Sequence, residues 1–518
     1  MKQLLSRYLL SAATALILCS CGGGQEASPE AGKRLDVLVI GVDGATWNVM
    51  RPLMRRGELP NIKRLADTGV TARFKSIRPL FSPAIWTTLA TGKLPAGHGI
   101  PTFHATRHDL KSSRIWDVVS AAGETVGIFG WLMTWPPDRV NGFIVPSWMA
   151  YGPETHPEDL RFINQWGRKN QPLDLEKAKR FGLSERSENS YQRFAERFEN
   201  IPEDEVMFRY RSMELAVKTD LFAHLYEEYD PRFATYMTSA VDHISHLYWK
   251  FHEPEKFEKV ENKDIRRFSD CIPSIYREVD RTVGQLVKVA GPDTAVIILS
   301  DHGFKALPQH NSREIDVESL LEKLGWANVV YDKLGVRAFL HLSESSITWE
   351  EAVSVLEGLQ VEESGEKLFN ISYDLSTEAV LIETTSEMRD VNLMGNVAIG
   401  DQSYPLSEIV PKQPLMSGGH ALYGVLIMNG PPFSEGVELE EAHVLDLAPT
   451  VMATLGYPVA SDLEGKVLLD AFRPEFLEKQ PPEIIETYGP PPPVDELEEP
   501  ARVLPEDQME KLKSLGYL

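Results

Sequence analysis

Three aspartates each follow an apolar run of the sequence. The pairs are residues 35–40 with Asp43, residues 233–240 with Asp242, and residues 295–300 with Asp301. In open α/β sheets the ligand crevice lies beyond the carboxyl ends of the strands, so we expect the three carboxylates to converge on one rim. Carboxylates brought together repel and raise one another's pKa, so their convergence predicts a compensating cation. Taken alone, each aspartate is also explained as a helix cap or turn former.

Histidines accompany two of these aspartates. His246 lies four residues after Asp242, and His302 directly follows Asp301. Neighbours on an extended segment point to opposite sides, so Asp301 and His302 must lie on a turn if both face one metal. Imidazole with carboxylate, and no available thiolate, favours zinc or manganese over an iron–sulfur cluster or a structural zinc knot.

Ser82 is the candidate nucleophile. Ser82 and Pro83 predict a helix start, with Ser82 as N-cap and proline at the first helical position, and Gly92 closes that helix. Ser82 Oγ would then lie where the helix dipole and free backbone N–H groups favour an alkoxide and a bound phosphate. Alone, such a serine only caps a helix, but the aspartate set makes it a candidate for chemistry. Thr87 and Thr88 fall in the helix interior and are poorer candidates.

The elements that must position these residues are short apolar runs with little alternation. They occupy residues 35–40, 125–129, 233–237, 295–299 and 424–428. Such runs are typical of strands covered on both faces, and helical stretches separate them. We therefore predict an α/β fold with a mostly parallel central sheet sandwiched by helices. No fixed-period repeat is visible, which excludes solenoids and propellers.

The domain organisation follows from composition along the chain. With 518 residues, 42% of them hydrophobic and 25% charged, the chain can bury a large core. We predict a catalytic domain over residues 35–472, with inserted cap segments near 150–225 and 330–410. Residues 473–518 are predicted to be a Pro-rich tail that ends in a short helix.

The first residues predict a lipid-anchored protein. Residues 1–20 have the charge order and apolar length of a secretory signal peptide, and Leu18-Cys19-Ser20-Cys21 resembles the bacterial lipobox. Cys21 would become the acylated first residue, followed by a flexible tether over residues 21–34. Cys271 alone would remain, so no internal disulfide can form. We expect a place in the bacterial cell envelope, on the periplasmic or the outer-membrane face.

The net charge of the chain restricts the kinds of macromolecule that it can bind. The formal net charge is −23 at pH 7, and loss of the basic leader makes it more negative. A surface this acidic argues against duplex nucleic acid as a partner. The sequence gives no indication of the oligomeric state.

Five motifs, taken together, resemble the type I phosphodiesterase/nucleotide pyrophosphatase branch of the alkaline phosphatase superfamily. They are Gly41-Val42-Asp43-Gly44, Ser82-Pro83 running on to residues 91–100, Asp242 to His246, residues 300–304, and Ser417-Gly418-Gly419-His420. The resemblance covers roughly residues 35–470, and the motifs match in order and internal spacing. It implies an alkaline phosphatase-like fold and a hydrolase of small phosphate esters.

The resemblance also implies a role for each matching residue. Asp43, Asp301 and His302 would hold one divalent ion, and Asp242, His246 and His420 a second, both zinc by the family's pattern with manganese as the alternative. Ser82 would contact the first ion, attack phosphorus and form a phospho-serine that water then hydrolyses. Two cations about 3.5–4 Å apart can clamp the attacking and leaving oxygens of an in-line displacement, and a nucleophile bound to one needs no separate base.

One position departs from the family. Ile85 stands three residues after Ser82, where relatives usually carry an asparagine that donates to a phosphate oxygen. Possible substitutes are Lys305, His310, Asn311 and Arg313, each of which also fits a surface or loop role. The departure keeps a phosphate monoesterase open as an alternative to a phosphodiesterase.

Two further functions have less support from the sequence. A Cys-x-Pro-x-Arg sulfatase pattern is absent, and a catalytically silent binding lipoprotein would not need all seven site residues. His98 is interpreted as structural, and His243, His252 and His443 have no metal-ligand spacing of their own.

Overall fold

An eight-stranded sheet lies at the centre of the protein. The computed structural model describes residues 34–166, 171–307, 314–326, 328–334, 336–342, 345–374, 379–389, 394–411 and 416–494. The chain divides into Met1–Arg34 and Leu35–Leu518, and every element below belongs to the second unit. The leader, Cys21 and the tether, like the end of the tail with its expected helix, lie outside the described residues.

The described strands are β1 Val37–Val42, β2 Val70–Lys75, β3 Val126–Phe129, β4 Gly142–Val145, β5 Phe233–Thr238, β6 Ala295–Leu299, β7 Gly303–Ala306, β8 Val330–Leu334, β9 Arg337–His341, β10 Phe369–Asp374, β11 Ala379–Thr384, β12 Asn396–Ile399, β13 Gln402–Pro405, β14 Gly418–Ala421, β15 Tyr423–Asn429, β16 Val437–His443, β17 Val459–Ala460 and β18 Ile484–Ile485.

The described α-helices are α1 Trp47–Arg55, α2 Pro60–Asp67, α3 Ser82–Thr91, α4 Pro95–His98, α5 Ile115–Ala121, α6 Arg161–Gln165, α7 Leu175–Arg180, α8 Glu185–Arg197, α9 Glu203–Tyr229, α10 Ala240–His252, α11 Asn262–Phe268, α12 Cys271–Ala290, α13 Val317–Lys323, α14 Trp349–Glu357, α15 Leu406–Ile409, α16 Leu447–Leu455 and α17 Pro474–Lys479.

The central sheet has the order β16-β2-β15-β6-β1-β5-β3-β4. Only β15 runs against its neighbours there, pairing antiparallel with β2 and with β6. The five apolar runs of the sequence are β15, β6, β1, β5 and β3, which are consecutive in this order. The predicted α/β fold with a mostly parallel sheet is therefore confirmed.

Both faces of the sheet are buried. Along β1, Leu38 and Ile40 belong to one apolar cluster, whereas Val37 and Val39 belong to the other. Successive strand residues point to opposite faces, so this alternation places one cluster on each side of the sheet. Helices α10 and α12 contribute to the first cluster, and α3 and α16 to the second. An uninterrupted apolar run is what a strand between two helix layers requires.

The register brings three strand ends to one edge. Val37 of β1 pairs in parallel with Phe233 of β5 and with Ala295 of β6. The residues that follow these three strands therefore leave the sheet side by side, in the crevice where open α/β sheets bind ligands.

Two further segments are built on this sheet. The described residues between β4 and β5 carry helices α6 to α9. The segment between β7 and β14 contains a four-stranded antiparallel sheet of order β10-β11-β9-β8, which has an apolar cluster of its own. No helix in the described ranges is long and apolar enough to cross a membrane.

Candidate metal centre

Asp43, Asp301 and His302 leave the sheet at neighbouring strand ends. Asp43 follows β1 directly, while Asp301 and His302 form a bend between β6 and β7. The bend lets both side chains face one point, as a shared metal site requires. His302 Nε2 lies 3.5 Å from Asp43 Oδ1 and 3.4 Å from Asp301 Oδ2.

Asp242 and His246 lie on the first two turns of α10. Residues four apart share a helix face, so both side chains point towards the same crevice. His246 Nε2 lies 3.3 Å from Asp242 Oδ1. The aspartate thus comes from the helix that follows β5, not from the end of the strand itself.

His420 reaches the same point from β14. That strand pairs antiparallel with β7, opposite Phe304. His420 Nε2 lies 3.4 Å from Asp242 Oδ1 and 3.1 Å from His246 Nε2. All six candidate ligands are buried, and two groups of their ligand atoms lie within 4.8 Å of one another: Asp43 with Asp301 and His302, and Asp242 with His302 and His420.

Ser82 lies on the first turn of α3, facing this cluster. Its Oγ is 3.4 Å from His302 Nε2. The expectation that Ser82 is the N-cap is wrong by one residue, because Phe81 is the extended residue whose carbonyl accepts the N–H of Ile85 at 3.1 Å. Pro83 stays in the first turn, and Gly92 ends the helix in the left-handed conformation with φ of 69°. The serine oxygen caps nothing and is left to face the cluster.

Backbone carbonyls orient all three imidazoles. Each Nδ1 lies near one carbonyl oxygen: His246 on Gly418 at 2.9 Å, His420 on Leu80 at 2.9 Å, and His302 on Gly303 at 3.1 Å. A carbonyl only accepts, so each Nδ1 carries the proton and each Nε2 presents a lone pair to the cluster. Histidines that bind metals are oriented in this way by an acceptor on the distal nitrogen.

Two of the three carboxylates, Asp43 and Asp301, are destabilised as anions. Burial raises the pKa of Asp43 well above its ordinary value, and the charges of Asp301 and Asp242 raise it further. Burial likewise raises the pKa of Asp301 to about 6. Asp43 Oδ1 and Asp301 Oδ2 are buried and have no hydrogen-bond partner among the described residues. Repelling, unpaired carboxylate oxygens opposite imidazole lone pairs fit divalent cations, which would neutralise the charge and use the free lone pairs.

The aromatic and amide groups around the cluster were not predicted. The Phe304 ring packs edge-on against His246, with centroids 4.8 Å apart, and the Gly44 N–H donates to Asp301 Oδ1 at 3.3 Å. Gly44 and Phe304 do occur inside the motifs that carry the resemblance, so their positions could have drawn attention. The Trp86 indole favours the charged form of Asp43 and so opposes the rise in its pKa, and no pattern in the sequence pointed to that residue.

Three residues singled out in the sequence, Ile85, Lys305 and Thr87, do not belong to the two groups of ligand atoms. The Ile85 side chain is fully buried in the apolar cluster that includes α3, and as an aliphatic group it has no hydrogen-bond donor for a phosphate oxygen. Lys305 is exposed on β7, and His310, Asn311 and Arg313 lie outside the described residues. Thr87 Oγ1 donates to the Pro83 carbonyl inside α3.

Two further histidines, His98 and His443, have structural roles. His98 accepts the Ile100 N–H at Nδ1 and lies 3.1 Å from Thr88 Oγ1, and burial lowers its pKa to about 3, which suits a neutral structural residue. His443 Nδ1 accepts the N–H of Leu445 in a capping turn.

Comparison with known proteins agrees with this geometry. The family model for type I phosphodiesterase / nucleotide pyrophosphatase matches residues 37–367, well over half of the chain. No curated protein matches the chain. The match begins at β1 and includes Asp43, Ser82, Asp242, His246, Asp301 and His302. The chain therefore belongs to the type I phosphodiesterase/nucleotide pyrophosphatase family and is a phosphoric ester hydrolase.

Proposed function

We propose that this protein hydrolyses phosphodiesters or pyrophosphates through a phospho-Ser82 intermediate, at a site that holds two divalent cations. The observation that carries the proposal is the convergence of three carboxylates and three imidazole Nε2 atoms beside Ser82 Oγ. One tetrahedral zinc ion takes four ligands, so six protein ligands are more than one such ion needs. Asp43, Asp301 and His302 would hold one ion, and Asp242, His246 and His420 the other.

The chain's own residues prepare Ser82 for attack. Its Oγ lies at the N-terminus of α3, where the helix dipole stabilises a developing alkoxide. His302 Nε2 lies 3.4 Å away with its proton held on Nδ1, so an ion bound through that nitrogen would lie beside the Ser82 oxygen. The cations would lower the pKa of the serine hydroxyl and neutralise charge on the phosphoryl oxygens. The buried walls exclude bulk water and strengthen these electrostatic interactions.

A phosphate monoesterase on the same site is the second candidate. It is favoured by Ile85, whose buried side chain leaves α3 without the amide that relatives use on a phosphate oxygen. A monoester dianion needs more positive charge around its free oxygens, whereas a diester needs room for a second substituent. A catalytically silent scaffold is the third candidate. The presence of Ser82 together with all six candidate metal ligands argues against it.

We also propose that Cys21 anchors the protein by acyl chains to a membrane of the bacterial envelope. The support is the charged and apolar leader followed by Leu18-Cys19-Ser20-Cys21. One acyl chain binds a membrane only marginally, so a stable anchor implies more than one chain. The glycine-rich segment after Cys21 would act as a flexible tether.

The test is a substrate panel on protein lacking residues 1–20, stripped of metal and reconstituted with zinc or manganese. We expect hydrolysis of bis(4-nitrophenyl) phosphate and of a pyrophosphate diester to exceed that of 4-nitrophenyl phosphate. Preference for the monoester would favour the second candidate. If neither the zinc-loaded nor the manganese-loaded protein hydrolyses any of these esters, the result would favour the silent scaffold.

A further inference from the structure

A narrow cavity that opens to solvent lies beside the candidate metal centre, at the carboxyl ends of β3, β4 and β5. Its volume is about 470 Å³ when the open solvent at its mouth is counted, and residues 237–239 form one wall. In that wall the Thr238 carbonyl accepts the Asp43 N–H at 3.0 Å, and Ser239 is the N-cap of α10. On the other side, the ring of Trp148 packs 5.4 Å from that of His243, the residue after Asp242. The cavity and the metal centre therefore share a wall.

Helix α9 gives the cavity a net positive charge. Three of its side chains line the cavity: Arg211, Glu214 and Lys218. Arg211 Nη1 donates to Glu214 Oε2 at 2.6 Å, and Lys218 Nζ contacts Glu214 Oε1 at 2.8 Å. Burial alone would raise the pKa of Glu214, but Lys218 and Arg211 lower it below its ordinary value. Glu214 is thus ionised and balances only one of the two cations, in a protein whose net charge is −23.

The cavity also has hydrogen-bond donors without acceptors. Arg211 Nε, Asn164 Nδ2 and Trp148 Nε1 are buried and have no acceptor within the described part of the chain. All three residues line the cavity, and Arg211 is only 4% exposed. Buried N–H groups are nearly always paired, so three of them around one space indicate a ligand rich in acceptors. A cavity with a net positive charge and unpaired N–H donors is suited to binding an oxyanion.

We propose that this cavity is a subsite for an anionic group, a carboxylate or a phosphate, carried by the ester substrate at a distance from the scissile phosphorus. The inference rests on the proposed function, because the ester must also reach Ser82. Neighbouring strands are about 4.8 Å apart, and β3 is two strands from β1, so the two anionic groups of the substrate would lie roughly 10 Å apart. The substrate class is then a phosphate diester or pyrophosphate with a second, remote anion.

The experiment compares esters that share a leaving group. The 4-nitrophenyl diesters of 5-carboxypentanol and of pentane-1,5-diol 5-phosphate carry the remote anion, and 4-nitrophenyl hexyl phosphate is the neutral match. For the wild-type protein we expect kcat/KM for either anionic ester to exceed that for the hexyl ester at least tenfold. The two anionic arms show whether carboxylate or phosphate is preferred.

Lys218→Met is the main variant, because it leaves the buried pair of Arg211 and Glu214 in place. We expect the anionic-to-hexyl ratio to fall at least fivefold, and to fall further in Arg211→Met. Arg209→Met is the matched control: Arg209 lies on the same helix, is exposed and pairs with Glu205. It should keep the wild-type ratio. A wild-type ratio below two, or a ratio that Lys218→Met leaves unchanged, overturns the subsite.

A binding measurement separates this inference from the proposed function. Calorimetry on zinc-loaded Ser82→Ala protein measures the affinity for each ester without turnover. Tighter binding of the anionic esters that is lost in Ser82→Ala/Lys218→Met supports the subsite even if no ester is hydrolysed. Turnover of the hexyl ester with no preference in rate or affinity would keep the proposed function and remove the subsite.

Discussion

His302 Nε2 lies 3.4 Å from Ser82 Oγ, and the opposite nitrogen of the same ring lies 3.1 Å from the Gly303 carbonyl. The carbonyl fixes the proton on Nδ1, so the nitrogen near the serine can only accept. One imidazole thereby connects the start of α3 with the bend after β6. The proposed nucleophile and a proposed metal ligand are held together by two elements that belong to the central sheet and to the helix packed on it.

This relationship predicts the effect of changing Ser82. Ser82→Ala should lower kcat at least 10³-fold while bound metal stays near the wild-type amount, because all six other ligands remain. Ser82→Thr restores a hydroxyl and should recover part of the rate. Rapid quench with a ³²P-labelled ester, followed by peptide mapping, should find the label on Ser82.

Thr87→Val is the matched control for the Ser82 variants. Thr87 lies in the same helix, and its hydroxyl donates to the Pro83 carbonyl at 2.8 Å. Its rate should stay within about threefold of wild type, since surface and helix-internal changes far from the chemistry leave transition-state contacts intact. Label on Thr87 or Thr88, or a Ser82→Ala protein that keeps most of its activity, would mean that the nucleophile is another residue.

Metal content should respond to the ligands on α10 and β14. Asp242→Asn or His420→Ala should lower bound metal towards half and reduce turnover by orders of magnitude, because the second ion loses a ligand while the apolar sheet core is untouched. Inductively coupled plasma mass spectrometry on purified protein measures the stoichiometry. His252→Gln, on the same helix as Asp242 but outside the cluster, should keep both metal and rate. A ligand variant with full metal content would contradict the assignment.

The centre of the fold was accessible to sequence reasoning because buried strands are uninterrupted apolar runs. Strands β2, β4 and β16 were not predicted. In β2 buried residues alternate with partly or fully exposed ones. The edge strand β16 carries Glu438, Glu440 and Glu441, charges typical of strands that must not pair further. Neither pattern resembles the runs that identified the five central strands.

The candidate site also has parts that the sequence predicted and parts that it did not. Its side chains could be proposed from the sequence because metal ligands have characteristic types and spacing. The backbone carbonyls of Leu80 and Gly418, which orient His420 and His246, could not be predicted, because every residue has a carbonyl. The cavity on α9 was also missed: Arg211, Glu214 and Lys218 read as ordinary charges of a long helix until the fold buries them beside β5.

The predicted anchor can be tested at the N-terminus. Mass spectrometry of the mature protein should find Cys21 as the first residue, bearing more than one acyl chain. Cys21→Ser should release the protein from the membrane fraction on cell lysis. A mature protein with unmodified Cys21, or one that still begins at Met1, would refute the anchor.

The last prediction concerns a buried ionic network that holds the end of the described chain. Asp138 accepts from Arg107 Nη2 at 2.7 Å and from Arg114, and Arg107 Nη2 also donates to the Pro492 carbonyl at 2.8 Å. Burial by itself would raise the pKa of Asp138, but Arg114 and Arg107 lower it below its ordinary value. Asp138→Asn would leave two buried guanidinium groups short of a carboxylate, which typically costs about 3–5 kcal/mol of unfolding free energy.

The sign of the pH dependence follows from that lowered pKa. An aspartate that ionises more readily in the folded state than in the unfolded chain, where its pKa is about 3.9, stabilises the fold fully above that value. The stabilisation is lost as the pH falls through the folded pKa, because the carboxyl is then protonated in both states. Urea unfolding at pH 7, 5 and 3.5 should therefore show the full difference between wild type and Asp138→Asn at the two higher values and a smaller one at pH 3.5. Asp67→Asn is the control, since Asp67 is exposed and, within the described ranges, pairs with Lys63 one turn away. Such a surface pair contributes about 0–1 kcal/mol. An Asp138→Asn protein that unfolds at the same urea concentration as Asp67→Asn at pH 7 would show that the network does not stabilise the fold.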